Sequence, residues 1–299
     1  MNQIIKQQIA SWLVLLISTA ATVASEATPV EVYIEASASE IIPHDPVIFK
    51  VSVRNTSQRM LHFNRSLGTD HGSVLLEARR SGSNQFVPFE SAFQGVSYGL
   101  GDIQVPLPAE ASCVCYEWVA SAGDAGRSYV FSQAGTYEVR ARLTDLREMT
   151  GISETITVQV RETPDDIVRR QYLAAERLRR AITLGGLSAG STTVALLESR
   201  NSLGESHLRK AFEWVIAIAG IRDAPTRPER RVATEGLRNA FHDVDVVEQE
   251  FAKLVLAREC VRLEEFDTAQ KLSKQLADAM FEQRAIAEAI RTTRENRGK

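Results

Sequence analysis

The run Val158-Gln159-Val160-Arg161-Glu162-Thr163-Pro164-Asp165-Asp166 decides the fold. Before it apolar residues recur at every second position, and after it at every third or fourth. Those are the periods of a strand and of a helix. Thr163 offers a side-chain oxygen as an N-cap, Pro164 suits the first helical position, and Asp165 and Asp166 face the positive end of a helix dipole. The spacing therefore predicts a multidomain chain, all-β over residues 26–162 and all-α over residues 163–299.

Working back from the junction, strands are expected at Val30 to Glu35, Val47 to Arg54, Leu61 to Asn64, Ser73 to Arg79, Phe86 to Phe89, Ile103 to Leu107, Ser112 to Ala120, Tyr129 to Phe131, Thr136 to Leu143 and Ile152 to Val160. Gly, Pro, Asn and Asp part them at short intervals, with no helical period between. That pattern predicts an antiparallel β-sandwich rather than parallel βαβ units.

The run Phe131-Ser132-Gln133-Ala134-Gly135-Thr136-Tyr137-Glu138-Val139-Arg140-Ala141 resembles the penultimate strand of immunoglobulin-like domains on bacterial secreted proteins. Val47 to Asn55 resembles an early strand of such modules. The resemblance covers residues 29–161 and implies an Ig-like sandwich whose corner is closed by the Tyr137 ring. Trp118 follows both nearby cysteines, unlike the Cys, Trp, Cys order of antibody domains.

Beyond the junction, Ile167, Tyr172, Leu173, Leu178 and Ile182 form a helical stripe among Arg169, Arg170, Arg177, Arg179 and Arg180, which read as a solvated face or an acidic-ligand patch. Ser202 with Glu205, Thr226 with Glu229, and Asp245 with Glu248 have the spacing of capping boxes. Trp214 to Ile221 is apolar nearly all round, which suits a buried helix. A last long helix is expected to run from Phe266 through Ile290, with Arg291 to Lys299 frayed. Leu256, Ala257, Phe266 and Ala269 resemble a tetratricopeptide helix pair within residues 246–295, although Cys260 stands where a tyrosine is usual and Glu264 where glycine is. A plain helical hairpin closing a bundle accounts for the same residues.

At the other end, Lys6 precedes the apolar run Ile9 to Ile17, and small residues follow to Ser25. This is the order of a secretory signal over residues 1–25, so the chain is expected to be exported; an uncleaved membrane anchor is the alternative. Hydrophobic residues make up 44% of the chain and charged ones 24%, which is globular usage. Residues 26–164 carry 11 basic and 17 acidic side chains, and residues 165–299 carry 23 and 21. An acidic first half gives no footprint for nucleic acid.

Three cysteines in an exported chain do not make a disulfide framework. Cys113 and Cys115 share a strand face at about 6.7 Å between Cα atoms, too far for their Cβ atoms to be bridged. They read as thiols, and Cys260 as a small core residue. His62, His71 and Asp70 invite a metal reading but lack the spacing of a ligand set. Asn55-Thr56-Ser57 and Asn64-Arg65-Ser66 are glycosylation sequons.

Gly186-Leu187-Ser188-Ala189-Gly190 matches the nucleophile elbow, in which a serine on a tight strand-to-helix turn attacks a carbonyl. Ala181 to Leu184 would be the strand and Thr192 to Ser199 the helix. His207 or His242 would serve as base, oriented by Asp223 or Asp243. No alternating βα series surrounds the motif, so a helix-to-helix connection is favoured. The sequence thus predicts an exported, non-catalytic binding or assembly protein of the cell envelope or extracellular space, with a protein or envelope partner and with no catalytic, cofactor or metal residue assigned. A serine hydrolase using Ser188 is the alternative.

Overall fold

The computed structural model describes residues 28–64, 73–89, 104–119, 130–145, 149–183, 190–223, 226–240, 245–276 and 280–297. The described strands all precede Arg161 and the described helices all follow Pro164. The strands are β1 (Val30–Ala36), β2 (Glu40–Ile41), β3 (Val47–Asn55), β4 (Leu61–Asn64), β5 (Val74–Arg80), β6 (Val87–Phe89), β7 (Gln104–Leu107), β8 (Ser112–Val119), β9 (Gly135–Asp145), β10 (Met149–Ile152) and β11 (Ile156–Val160). The helices are α1 (Asp165–Thr183), α2 (Gly190–Ser202), α3 (His207–Asp223), α4 (Arg227–Ala240), α5 (Val246–Arg262), α6 (Phe266–Ser273) and α7 (Met280–Arg297).

One sheet has the order β1-β3-β8, a second the order β2-β11-β9-β5-β6 with β10 also on β9, and β4 pairs with β7. All pairings are antiparallel except β2 with β11. Alternation sorts the faces: in β1, Val30, Val32 and Ile34 are buried while Glu31, Tyr33 and Glu35 are exposed. Val51 and Val53 of β3, Leu76 of β5, Val139 of β9 and Val158 of β11 join them in one core with Phe131. Each fully buried side chain of this kind contributes about 1.5–3 kcal/mol relative to exposure.

Three positions fix the backbone around that core. Gly135 opens β9 at φ +145°, and a Cβ there would lie 2.8 Å from Arg80 Nε, whose guanidinium donates to the Ala134 carbonyl at 2.6 Å. Two residues on, the Tyr137 hydroxyl donates back to the Gln133 carbonyl at 3.0 Å. Asn55 ends β3 as a fully buried hub. Its Nδ2 donates to the carbonyls of Arg59, Leu107 and Pro108, and its Oδ1 accepts from Ser57. The first sequon asparagine is therefore occupied in the folded chain; the Asn64 side chain lies outside the described residues.

Several expectations need correction. The single strand Ile152 to Val160 is interrupted at 153–155, where the Ser153 hydroxyl accepts the Ala141 amide that a continuous ladder would pair with backbone. Phe131 lies in a turn, placed by the bond from the His44 amide to its carbonyl. Thr163 donates to the Arg161 carbonyl, and α1 begins on the Pro164 carbonyl, which accepts from Ile167 and Val168. Ser202 closes α2 by donating to the Ser199 carbonyl instead of opening α3. The last helix is two, α6 and α7, with turns at Gln275 and Leu276 and the Leu276 carbonyl taken by the Gln283 side chain. Residues 291–297 stay helical, where Arg291 pairs with Glu288 and Glu295.

Two of the expected helix caps match the geometry. Thr226 and Glu229 exchange bonds between side chains and amides, and Asp245 accepts the Val247 amide. Glu264 adopts φ +61°, with bonds from the Glu265 amide to the Cys260 carbonyl and from the Glu264 amide to the Val261 carbonyl. That is a left-handed helix end at the position where glycine is usual. No helix among the described residues is long and apolar enough to cross a membrane.

Candidate functional site

Two places gather chemistry: a joint between strands and helices, and a groove on the opposite side of β1. The joint starts from the turn Ile42-Pro43-His44-Asp45-Pro46, which His44 tightens by taking φ +70°. Asp45 is 2% exposed. Its Oδ2 accepts the Ile42 amide at 3.2 Å and its Oδ1 the Leu208 amide at 3.0 Å. A carboxylate from the strand half thus sits on the N-terminus of α3, where the helix dipole and open amides favour it. Burial nevertheless pushes its pKa up, outweighing the bonds to Leu208 and Ile42. Ser206, accepting the Arg209 amide, completes the helix start.

Beside Asp45, the His44 ring meets Tyr172 of α1 edge-on at 5.3 Å between centroids. Burial holds the imidazole down to about 4, while nearby Glu176 acts in the opposite direction. Farther along β3, Lys50 pairs with Glu250 of α5 at 2.8 Å, both side chains being largely buried, and the Tyr116 hydroxyl of β8 donates to the same carboxylate at 2.8 Å. Ile48 and Tyr116 belong with Phe212, Trp214 and Phe251 to the helical core rather than to the strand core. The outer face of the three-stranded sheet is therefore part of the helical half's floor.

The groove lies where β1 and β10, each bordered by a partner on one side, run past each other. It encloses about 760 Å³ and is lined by Val30 to Tyr33, Arg142 to Thr144, Thr150 to Ile152, Thr28 and Glu154. That volume is within the roughly 300–1,000 Å³ range of ligand clefts. Tyr33 and Ile152 are 49% and 54% exposed on it. Gly151 lets β10 approach, since a Cβ would stand 2.7 Å from Val32 Cγ2. Arg142 reaches in from β9, its guanidinium 3.0 Å from Glu77.

Ser188, His242, Asp243, Asp70 and His71 lie outside the described residues, as does the Asp223 side chain. His207 sits at the start of α3 with Nδ1 3.7 Å from Glu248 Oε1, inside the joint. The elbow needs a strand before its serine, but residues 181–183 continue α1 and the helix behind begins at Gly190. His62 stands exposed on β4. Cys113, Cys115 and Cys260 are buried thiols without a disulfide. Of the arginines, Arg170 pairs with Asp166 and Arg177 donates to Ser199. Among the described residues no group of three His, Cys, Asp or Glu is placed to hold a metal ion. Sequence reading missed both the joint and the groove; the Pro-flanked His44-Asp45 pair was the only local sign of the first.

No family model matches the chain, and no curated protein matches it. Among solved structures, a β-glucosidase from Erythrobacter marinus is similar at 18% identity and a TM-score of 0.28, over 45% of this chain and 16% of that one. The CARDB domain of a Pyrococcus furiosus protein, solved with two metal ions, is similar at 14% identity and a TM-score of 0.24, over 46% of this chain and 90% of that one. Salmonella alpha-2-macroglobulin is similar at 13% identity and a TM-score of 0.25, over 87% of this chain and 23% of its own. The chain thus spans about a sixth of the length of the first of these.

Proposed function

We propose that this is an exported, non-catalytic binding or assembly protein, built as an immunoglobulin-like sandwich followed by a helical bundle. The observation that carries the binding role is the open groove between β1 and β10, with Tyr33 and Ile152 exposed on it. Exposed aromatic and aliphatic side chains beside an open strand edge are features of recognition surfaces. The sandwich reading is supported by the core shared between the two larger sheets, by the parallel β2–β11 pairing, and by the Tyr137 bond to Gln133. Export rests on the order of charged, apolar and small residues over 1–25.

A photo-crosslinking side chain placed at Ile152, with one at Val232 on α4 as control, tests the role in the exported fraction of the native cell. Val232 is 74% exposed and lies away from the groove's lining. A discrete adduct from position 152 and none from 232 is the expected outcome. Equal labelling at both, or ester hydrolysis by the purified chain that Ser188→Ala abolishes, overturns the proposal.

A further inference from the structure

The free edge of β1 has a definite hydrogen-bonding phase. Thr56 donates to the Pro29 carbonyl and Ser37 to the Ile48 carbonyl, so odd-numbered residues of β1 turn their amides and carbonyls toward β3. Val30, Val32 and Ile34 then turn theirs the other way, into the groove. Across the groove the Ser153 amide donates to Ala141, which turns the amides and carbonyls of Thr150 and Ile152, both lining residues, away from β9. β1 and β10 do not pair with each other, and no described strand pairs with either open edge. Long unpaired edges of this kind are templates for an added strand.

From this geometry we infer that the groove takes up an extended polypeptide segment of alternating apolar and basic residues, added as a strand on β1. The inference rests on the binding role proposed above and names its partner class. Paired residues on neighbouring strands share a face. One phase of the incoming segment falls beside Val30, Val32 and Ile34 on the core face, and the other beside Glu31, Tyr33 and Glu35 on the exposed face. The first phase calls for apolar side chains and the second for cations. Glu154 adds a further carboxylate on the lining, and among the described lining residues the one cation, Arg142, is engaged by Glu77; Arg54 and Lys50 of β3 stand opposite Glu31 and Glu35 on the other side of β1. The excess of acidic over basic residues in 26–164 points the same way. A second copy of β1 fits less well, because antiparallel pairing about Tyr33 sets Glu31 opposite Glu35, like charge against like.

The test is titration calorimetry of the full chain with nine-residue peptides of alternating Lys and Val, or of alternating Glu and Val. Binding of the Lys–Val peptide, at least tenfold tighter than of the Glu–Val peptide, is expected. Val32→Pro removes a donor that β3 does not use, whereas Val32→Ala trims the side chain and keeps it. At least a tenfold loss in V32P relative to V32A is therefore expected. In the unmutated chain the amides of Val30, Val32 and Ile34 gain protection from exchange when the peptide is present, a readout that stands even if V32P does not fold. No binding of the Lys–Val peptide, equal binding by V32P and V32A, or unprotected Val30, Val32 and Ile34 amides overturns the inference. So does a dimer in sedimentation that V32P dissolves. If the peptides fail while the crosslink at 152 persists, the partner class is wrong and the binding role stands; if both fail, both fall.

Discussion

His44 combines a left-handed backbone, a buried ring and a charged surrounding at one position. Its imidazole is held down to about 4 from 6.5, first by burial, with Glu176 opposing. A group kept neutral in the folded chain but able to take a proton when unfolded adds stability that is complete above pH 6.5 and lost as pH falls toward 4. At about 1.4 kcal/mol per pH unit the ceiling is about 3 kcal/mol, and solvent screening lowers it. Asp45 acts in the other sense, since its pKa is raised and acid relieves the cost of burying its charge. His207 with Glu248 also faces this turn, but is common to the native chain and a His44 variant. Asn tolerates φ +70° and does not titrate. The urea midpoint of the native chain is expected to fall more steeply between pH 7 and 5 than that of His44→Asn; parallel profiles would show that the ring does not drive the change.

At the scale of elements, a helix start is capped by a residue 163 positions away in sequence. Local chemistry marked α4 and α5 correctly through Thr226 and Asp245, because those caps are contiguous with their helices. It misplaced the start of α3 at Ser202, because the carboxylate that serves Leu208 arrives from the β2–β3 turn. Asp45→Ala strips a buried amide, that of Leu208, and a part-buried one, that of Ile42, of their acceptor. A loss of about 2 kcal/mol is expected, between that of an ordinary cap and that of two unsatisfied donors. Since Asp45's contribution is fuller below its raised pKa and declines as pH rises through it, the deficit widens from pH 7 toward pH 4. Chemical denaturation at both pH values checks the size and the sign together, and a deficit that narrows in acid would contradict the account. Alternation in β3 is subject to the same limit. Ile48, Lys50, Ser52 and Arg54 share a face by alternation that is exposed at Arg54 and buried at Ile48, because periodicity identifies residues that share a face without saying what covers it. Nor does spacing say which strand ends a sheet, so the open edge of β1 was illegible while its two faces were plain.

For the whole molecule, the change of period at Val160 marks a change of element type more sharply than a change of folding unit. The strand core and the helical core are distinct clusters, yet Ile48 at 1% exposure is a strand residue seated in the helical one. Around it stand the Lys50–Glu250 pair, the Tyr116 hydroxyl, the Asp45 cap and the His44–Tyr172 contact. Each loses its partner if the halves part, and the apolar surface of Ile48 and Tyr116, now packed in the helical core with Phe251, would be returned to water. Separation should therefore be no easier than unfolding one half. In native-state hydrogen exchange, the slowest amides of α3 and of β9 are expected to open with the same free energy and the same denaturant dependence. Ile48→Ala removes helical-core contacts while leaving the strand core's own side chains in place, at about 3 kcal/mol. Its effect should appear first in α3 and α5, whose amides then open below those of β9. Independent exchange of the halves in the unmutated chain would instead mean that the linker at Arg161–Pro164 is their only effective connection, and that the joint is contact without coupling.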